Sequence, residues 1–163
     1  MGVFTIGLEK IEFGDIESDG GLATSFAALG KTQRDSLTVS TEDPEITEFL
    51  SEESDTPEDT NETPGATTID FILMDPDATV FEKLFGGTVD GEKWSAPSQA
   101  IKLEQSIRIT PRKGLVYTFP RASVVAKLNA SFGRTEVSGL QITATVLQPT
   151  KEGESWLYVE PKA

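Results

Sequence analysis

Apolar side chains recur at every second position along most of this chain, and at helical spacing in one short stretch. Residues 3 to 16 open the pattern as a long strand with a defect. Phe4, Ile6 and Leu8 share one phase and Ile11 and Phe13 the other, so side-chain parity changes near Glu9 and Lys10, as a bulge or bend requires. Gly20-Gly21 and the small polar residues to Ser36 read as a loop, followed by a short strand in which Leu37 and Val39 alternate with Thr38 and Ser40. In Thr67 to Met74 the residues Ile69, Phe71, Ile72, Leu73 and Met74 are apolar in both phases, which predicts burial on both faces or at a subunit contact.

The one helical stretch is about Pro76 to Phe85. Asp75 suits the N-cap, Pro76 the first helical position, and Gly86-Gly87 supplies the stop, while Val80, Phe81, Leu84 and Phe85 form an apolar stripe that predicts packing on a sheet. Beyond it the period of two returns. Asp90-Gly91 marks a hairpin, and Ile101, Leu103, Ile107 and Ile109 alternate with Lys102, Glu104, Ser106, Arg108 and Thr110 as a strand with one wet face. Leu115, Tyr117 and Phe119 alternate after a turn at Pro111 to Gly114, and Ala122 to Phe132 continues as a long strand. Its expected partner is Leu140 to Gln148, across Gly133 to Gly139, and a last strand is expected at Trp156 to Val159. The fold class is mainly β: one domain over 1–163, an antiparallel sandwich or barrel with one flanking α-helix and a long acidic loop.

That loop, Thr41 to Ala66, changes the picture. It is Glu, Asp, Ser, Thr and Pro with a single apolar cluster, Ile46, Phe49 and Leu50, a composition that does not offset the entropy of ordering by itself. Two readings stay open: a solvated flexible loop, or an arm that orders on a neighbouring subunit through Phe49 and Leu50. No basic residue lies between Arg34 and Lys83, and that interval holds 15 of the 27 acidic residues, whereas from Lys83 onward 11 Lys or Arg face 7 Asp or Glu. An acidic lobe on a mildly basic body suits contact between copies. The net charge of −13 opposes gripping DNA or anionic membrane.

Candidate chemistry is sparse. There is no cysteine and no histidine among the 163 residues, which removes thiolate metal sites, disulfides, thiol nucleophiles and the usual general base. Asp15, Glu17, Asp19 and Gly20 begin like a calcium loop, yet its twelfth position is Phe26 where a bidentate Glu is needed. The acidic lobe lacks the apolar surroundings that separate catalytic carboxylates, and Asn61-Glu62-Thr63 and Asn129-Ala130-Ser131 are glycosylation sequons of the kind chance supplies. No catalytic, metal or cofactor site is expected. Residues 1 to 6 lack a secretion signal and no apolar run reaches a membrane span, so synthesis in the cytoplasm and no membrane contact are expected.

The order of elements resembles the major tail tube proteins of long-tailed bacteriophages. The likeness rests on the Phe4-Thr5-Ile6-Gly7-Leu8 strand and on Leu29-Gly30-Lys31-Thr32 before a short strand. The acidic loop, the strand and helix around Asp70-Phe71 and Asp75 to Phe85, Phe119-Pro120-Arg121-Ala122 at the start of a long strand, and the closing Leu140 to Pro149 complete it. The resemblance implies a structural virion protein of the tail, assembled in the host cytoplasm into hexameric rings that stack as a tube with an anionic lumen for DNA. Implied partners are further copies of itself, the tape measure, the tail terminator and the baseplate. Ile46, Phe49, Leu50, Phe71, Arg112 and Lys113 are the candidate inter-subunit contacts, with the acidic lobe expected to meet a basic surface among Lys102, Arg108, Arg112, Lys113 and Arg121. Alternatives are a related terminator, baseplate or secretion-tube ring, or a monomeric module that binds carbohydrate or protein with Trp94 or Trp156 as its platform.

Overall fold

The alternating segments build β-sheet almost throughout. The computed structural model describes residues 2–163. In chain order the elements are β1 (Lys10–Gly14), β2 (Ala27–Ala28), β3 (Thr38–Thr41), β4 (Glu45–Phe49), β5 (Asp59–Thr63), β6 (Thr67–Leu73), α1 (Ala78–Phe85), β7 (Thr88–Asp90) and β8 (Lys93–Ser95). They are followed by β9 (Leu103–Thr110), β10 (Leu115–Asn129), β11 (Gly139–Val146) and β12 (Tyr158–Pro161). The main sheet runs β2-β1-β9-β10-β11-β6-β3 with β12 also on β10, and β4-β5 and β7-β8 are separate hairpins. The chain is mainly β with one helix among the described residues, and every strand pair is antiparallel.

The 15-residue β10 turns this sheet into two layers. Its first half lies between β9 and β12 and its second half pairs with β11, and between them the register against β9 shifts at Phe119/Ala122. The shift is a bulge built on Pro120, which has no N–H to give a ladder. Its carbonyl is rescued by Ser106, whose hydroxyl donates at 2.7 Å. Phe13 of β1 meets Phe71 of β6 edge to face at 6.0 Å although three strands separate them in the sheet, so the two layers face each other across the core. Ile11, Ile107, Ile109 and Phe119 fill one side of that core, and Ile69, Leu73, Leu140 and Ile142 the other.

The parity defect near the N-terminus is present. Ile6 bridges Lys113 while Lys10 pairs with Thr110, which leaves one extra residue on the N-terminal side, and Gly7 takes the positive φ of 74° that the bulge requires. The helix begins later than expected. Asp77, not Asp75, is the N-cap, accepting from the Val80 amide at 3.0 Å and the Thr79 hydroxyl at 2.6 Å. Asp75 precedes Pro76, which disfavours helical backbone there, and its carboxylate instead accepts from the Lys31 amide at 2.6 Å. Gly86 closes the helix as expected, with a φ of 80°.

Other expectations need correction. β6 buries Ile69, Phe71 and Leu73 on one face, while Ile72 is half-buried on the other. The polar phase of β9 is not wet throughout: Ser106 and Thr110 are buried. Beside Ser106 the chain preceding β2 folds over the sheet, the Ala23 amide donating to Ser106 at 3.1 Å and Phe26 lying 4.1 Å from the Arg108 guanidinium. The last strand lies two residues later than expected, at Tyr158–Pro161. The acidic segment is no structureless loop but the β4-β5 hairpin, continuous with β3 and β6 and clamped at its base by the Glu42 amide on the Ala66 carbonyl at 2.9 Å.

Candidate functional site

Every residue of β4 and β5 is exposed, so the hairpin is an arm standing clear of the core. β4 sets Ile46, Thr47 and Phe49 beside Glu45 and Glu48, and these acids face Thr63 and Thr60; the β-branched and aromatic side chains favour extended backbone even without burial. Its register places Ile46 opposite Glu62 and Phe49 opposite Asp59, so the two apolar residues stand on opposite faces rather than in one cluster. Ile46, Phe49 and Leu50 are all exposed. None of the arm's carboxylates forms an ion pair among the described residues; the five ion pairs found there join other parts of the chain.

The remaining expected contacts separate. Phe71 is 1 % exposed in the core and is no surface residue, because the in-phase side chains of β6 all face the opposing layer. Arg112 and Lys113 are exposed on the turn between β9 and β10. Part of the wider basic surface is engaged within the chain. Arg121 makes two hydrogen bonds to Glu104, both 3.0 Å, and a third to the Gln148 carbonyl; Lys102 also pairs with Glu104, and Arg108 lies over Phe26. The Arg121 bond holds the Glu104 carboxyl below its ordinary range. Among the described residues Arg108, Arg112 and Lys113 are the members of that set without an ionic partner, with Arg108 covered by Phe26; Arg34, which sequence reasoning missed, has none either.

The sheet itself has unfinished edges. β9 follows β10 only as far as Leu103 opposite Val124, so among the described residues β10 residues 125–129 have no partner strand on that side, and β3 has none beyond β6. Val39 and Leu128 stand exposed at these two edges. Neither was singled out from sequence, since each sits in an ordinary alternating strand. Between the edges lie the second half of β10, then β11, β6 and β3, whose outward face carries Ser123, Thr143, Thr145 and Thr68, with Asp70 and Lys127 as its only charges. Thr143 donates to Asp70 at 2.7 Å.

The chain matches no protein-family model and no curated protein. The residues considered for other chemistry have structural partners. Trp94 stacks on Phe81 at 4.9 Å and donates to the Gly86 carbonyl at 2.8 Å, so it buttresses the helix, whereas Trp156 is exposed. In the calcium-like stretch Asp15 accepts from Gln105, Glu17 from Thr24, and Asp19 from the Gly21 amide, which with Lys151 lowers its carboxyl below the usual range. Among the described residues no group of three or more His, Cys, Asp or Glu is placed to hold a metal ion, and no helix is long and apolar enough to cross a membrane.

Proposed function

We propose that this chain is a structural subunit that closes into rings by pairing strand edges with copies of itself, and that the rings stack into a tube. The observation that carries this reading is a pair of open edges flanking an even number of strands. From β10 through β11 and β6 to β3 the direction alternates, so β3 runs antiparallel to β10. A neighbour's β3 laid against residues 125–129 therefore continues the antiparallel alternation, and repetition about an axis pairs both of these edges in every copy. The edges match in length, four residues in β3 against five in β10. Val39 and Leu128 both point to the core side of the sheet, so closure brings two exposed apolar side chains together.

This assembly is the one that the resemblance to major tail tube proteins implies, with hexameric rings in the virion tail. Its partners are then further copies, with the tape measure, tail terminator and baseplate bounding the tube and DNA passing through it. The outward face of the four-strand unit lines the bore in such a ring. That face departs from the anionic lumen the resemblance implies: it is close to neutral, with hydroxyl groups, exposed Val125 and a single Asp70 and Lys127, while the acidic excess sits on the arm. Hydrated hydroxyls offer sliding phosphates no cationic trap.

Negative-stain electron microscopy with light scattering, over a series of protein and salt concentrations, tests the reading. Rings or striated tubes are expected. Persistent monomers under every condition, including with a tail initiator complex added, would refute it.

A further inference from the structure

The two layers of the sheet do not close evenly at their sides. Beside the β3 edge a cavity of about 320 Å³ opens between them, lined by Leu37 and Val39 from one layer, by Ile109, Leu115 and Tyr117 from the other, and by Leu8 of the N-terminal segment. The β10 side has the converse defect. There the β10-β11 hairpin runs past the end of β9, and Leu128 points to the core side of its layer yet stands in water. Phe132, in the turn just beyond β10, is 93 % exposed, more than any other large apolar side chain among the described residues. The turn that presents it is braced: the Ser138 hydroxyl donates to the Ser131 carbonyl at 2.7 Å, and the Ser131 hydroxyl to Glu136.

Charge and parity together select one register for the lateral pairing. A slip of one residue would turn Leu128 to the outward face, away from Val39. With Val39 opposite Leu128, antiparallel counting sets Ser40 opposite Lys127 and Leu37 opposite Ala130. Lys127 then stands diagonally beside the neighbour's Glu42, whose amide extends the β3-β6 ladder onto Ala66. Neither residue takes part in an ion pair among the described residues. In the register two residues away, with Leu128 opposite Leu37, Lys127 would meet only Ser36, Thr38 and Ser40. The charged pair favours the first. In that register Phe132, two residues past Ala130, falls diagonally beside Leu37, at the roughly 7–8 Å that an aromatic side chain spans.

We infer that Phe132, on the β10-β11 turn of one copy, plugs the open mouth between the two layers of its neighbour, seating against Leu8 and Leu37, while Lys127 pairs with the neighbour's Glu42. Each core is then completed by a side chain of the adjacent copy. The inference rests on the lateral self-assembly proposed above and assigns the residues that lock its register.

Full-length Phe132→Ser and Phe132→Trp variants test it, and both should fold, because the side chain they replace is in water. By sedimentation velocity, Phe132→Ser should need about a 30-fold higher concentration than wild type to associate, the effect of leaving one phenylalanine out of the contact. The emission that Phe132→Trp adds to that of Trp94 and Trp156 should be quenched freely by acrylamide in dilute protein and several-fold less once copies associate. Glu42→Lys should raise the association threshold about threefold, and Lys127→Glu in the same chain should restore it. Assembled particles in which the introduced tryptophan stays freely quenched, or a Phe132→Ser threshold within threefold of wild type, would overturn the inference and leave ring closure standing. A wild type that stays monomeric under every condition removes both.

Discussion

Leu128→Lys separates the folded subunit from its assembly. Leu128 is 70 % exposed in the single chain, at the open edge of β10. Full burial of a leucine side chain contributes about 1.5–3 kcal/mol, so ring closure has roughly 1–2 kcal/mol still to gain at this residue in each interface. Replacement by lysine removes that gain and sets an ammonium where a neighbour's Val39 is proposed to pack. A penalty near 2 kcal/mol per interface corresponds to about a 30-fold higher concentration for association. The subunit itself should be stable within about 0.5 kcal/mol, because the substituted side chain is already in water. Sedimentation velocity gives the association threshold and a circular dichroism melt gives the subunit's stability. The added positive charge reduces the net charge of −13, so weaker association cannot arise from greater repulsion between copies. A folded variant whose threshold stays within threefold of wild type would refute edge pairing at β10.

The other predictions concern what holds the subunit together. Ser106→Ala strands the Pro120 carbonyl and the Ala23 amide in the interior, each costing about 1–3 kcal/mol, and should lower the melting temperature by roughly 6–12 °C for a net 3 kcal/mol. Phe71→Ala should cost about 3–5 kcal/mol in chemical denaturation of the monomer, where an interface residue would leave monomer stability unchanged. Glu104→Gln should flatten the acid limb of stability measured by urea unfolding between pH 7 and 3. Because Arg121 holds the folded carboxyl below its ordinary value of 4.5, its contribution is present above that value and lost as pH falls through the lower folded one; the gap between wild type and variant therefore closes toward acid.

The period of two made the strands legible, and with them the β10-β11 hairpin, since Ala122 to Leu128 and Leu140 to Val146 alternate without interruption. The N-terminal bulge was legible for the same reason: a change of parity has few other causes. What periodicity does not carry is what covers a strand. Ser106 reads as wet because serine is polar, and only the chain preceding β2, folded over the sheet 83 residues away in sequence, makes it buried. Phe71 and Ile72 read alike, and the side chain that reaches the opposing layer is decided by register alone. Of the expected contact residues, the exposed arm and the Arg112-Lys113 turn followed from composition. Arg34, Val39 and Leu128 did not, because an open edge or a groove is a property of which strands are absent beside it.

The two surfaces left unfinished in the single chain point in different directions. The open edges of β3 and β10 lie at the sides of the sheet, so pairing through them repeats copies laterally; the arm leaves the β3-β6 ladder at its Thr41/Thr67 end, so a contact through it repeats copies along the strands. A two-stranded hairpin is marginal in water by itself, and this one borrows order from β3 and β6 at its base while none of the described residues covers its tip. Lateral and axial assembly should therefore come apart under mutation. Leu128→Lys should abolish rings and with them tubes, whereas Phe49→Ser with Leu50→Ser at the exposed end of the arm should leave rings that fail to stack. Electron micrographs in which both variants lose rings and tubes together would place the two contacts on one surface, contrary to the topology of the sheet.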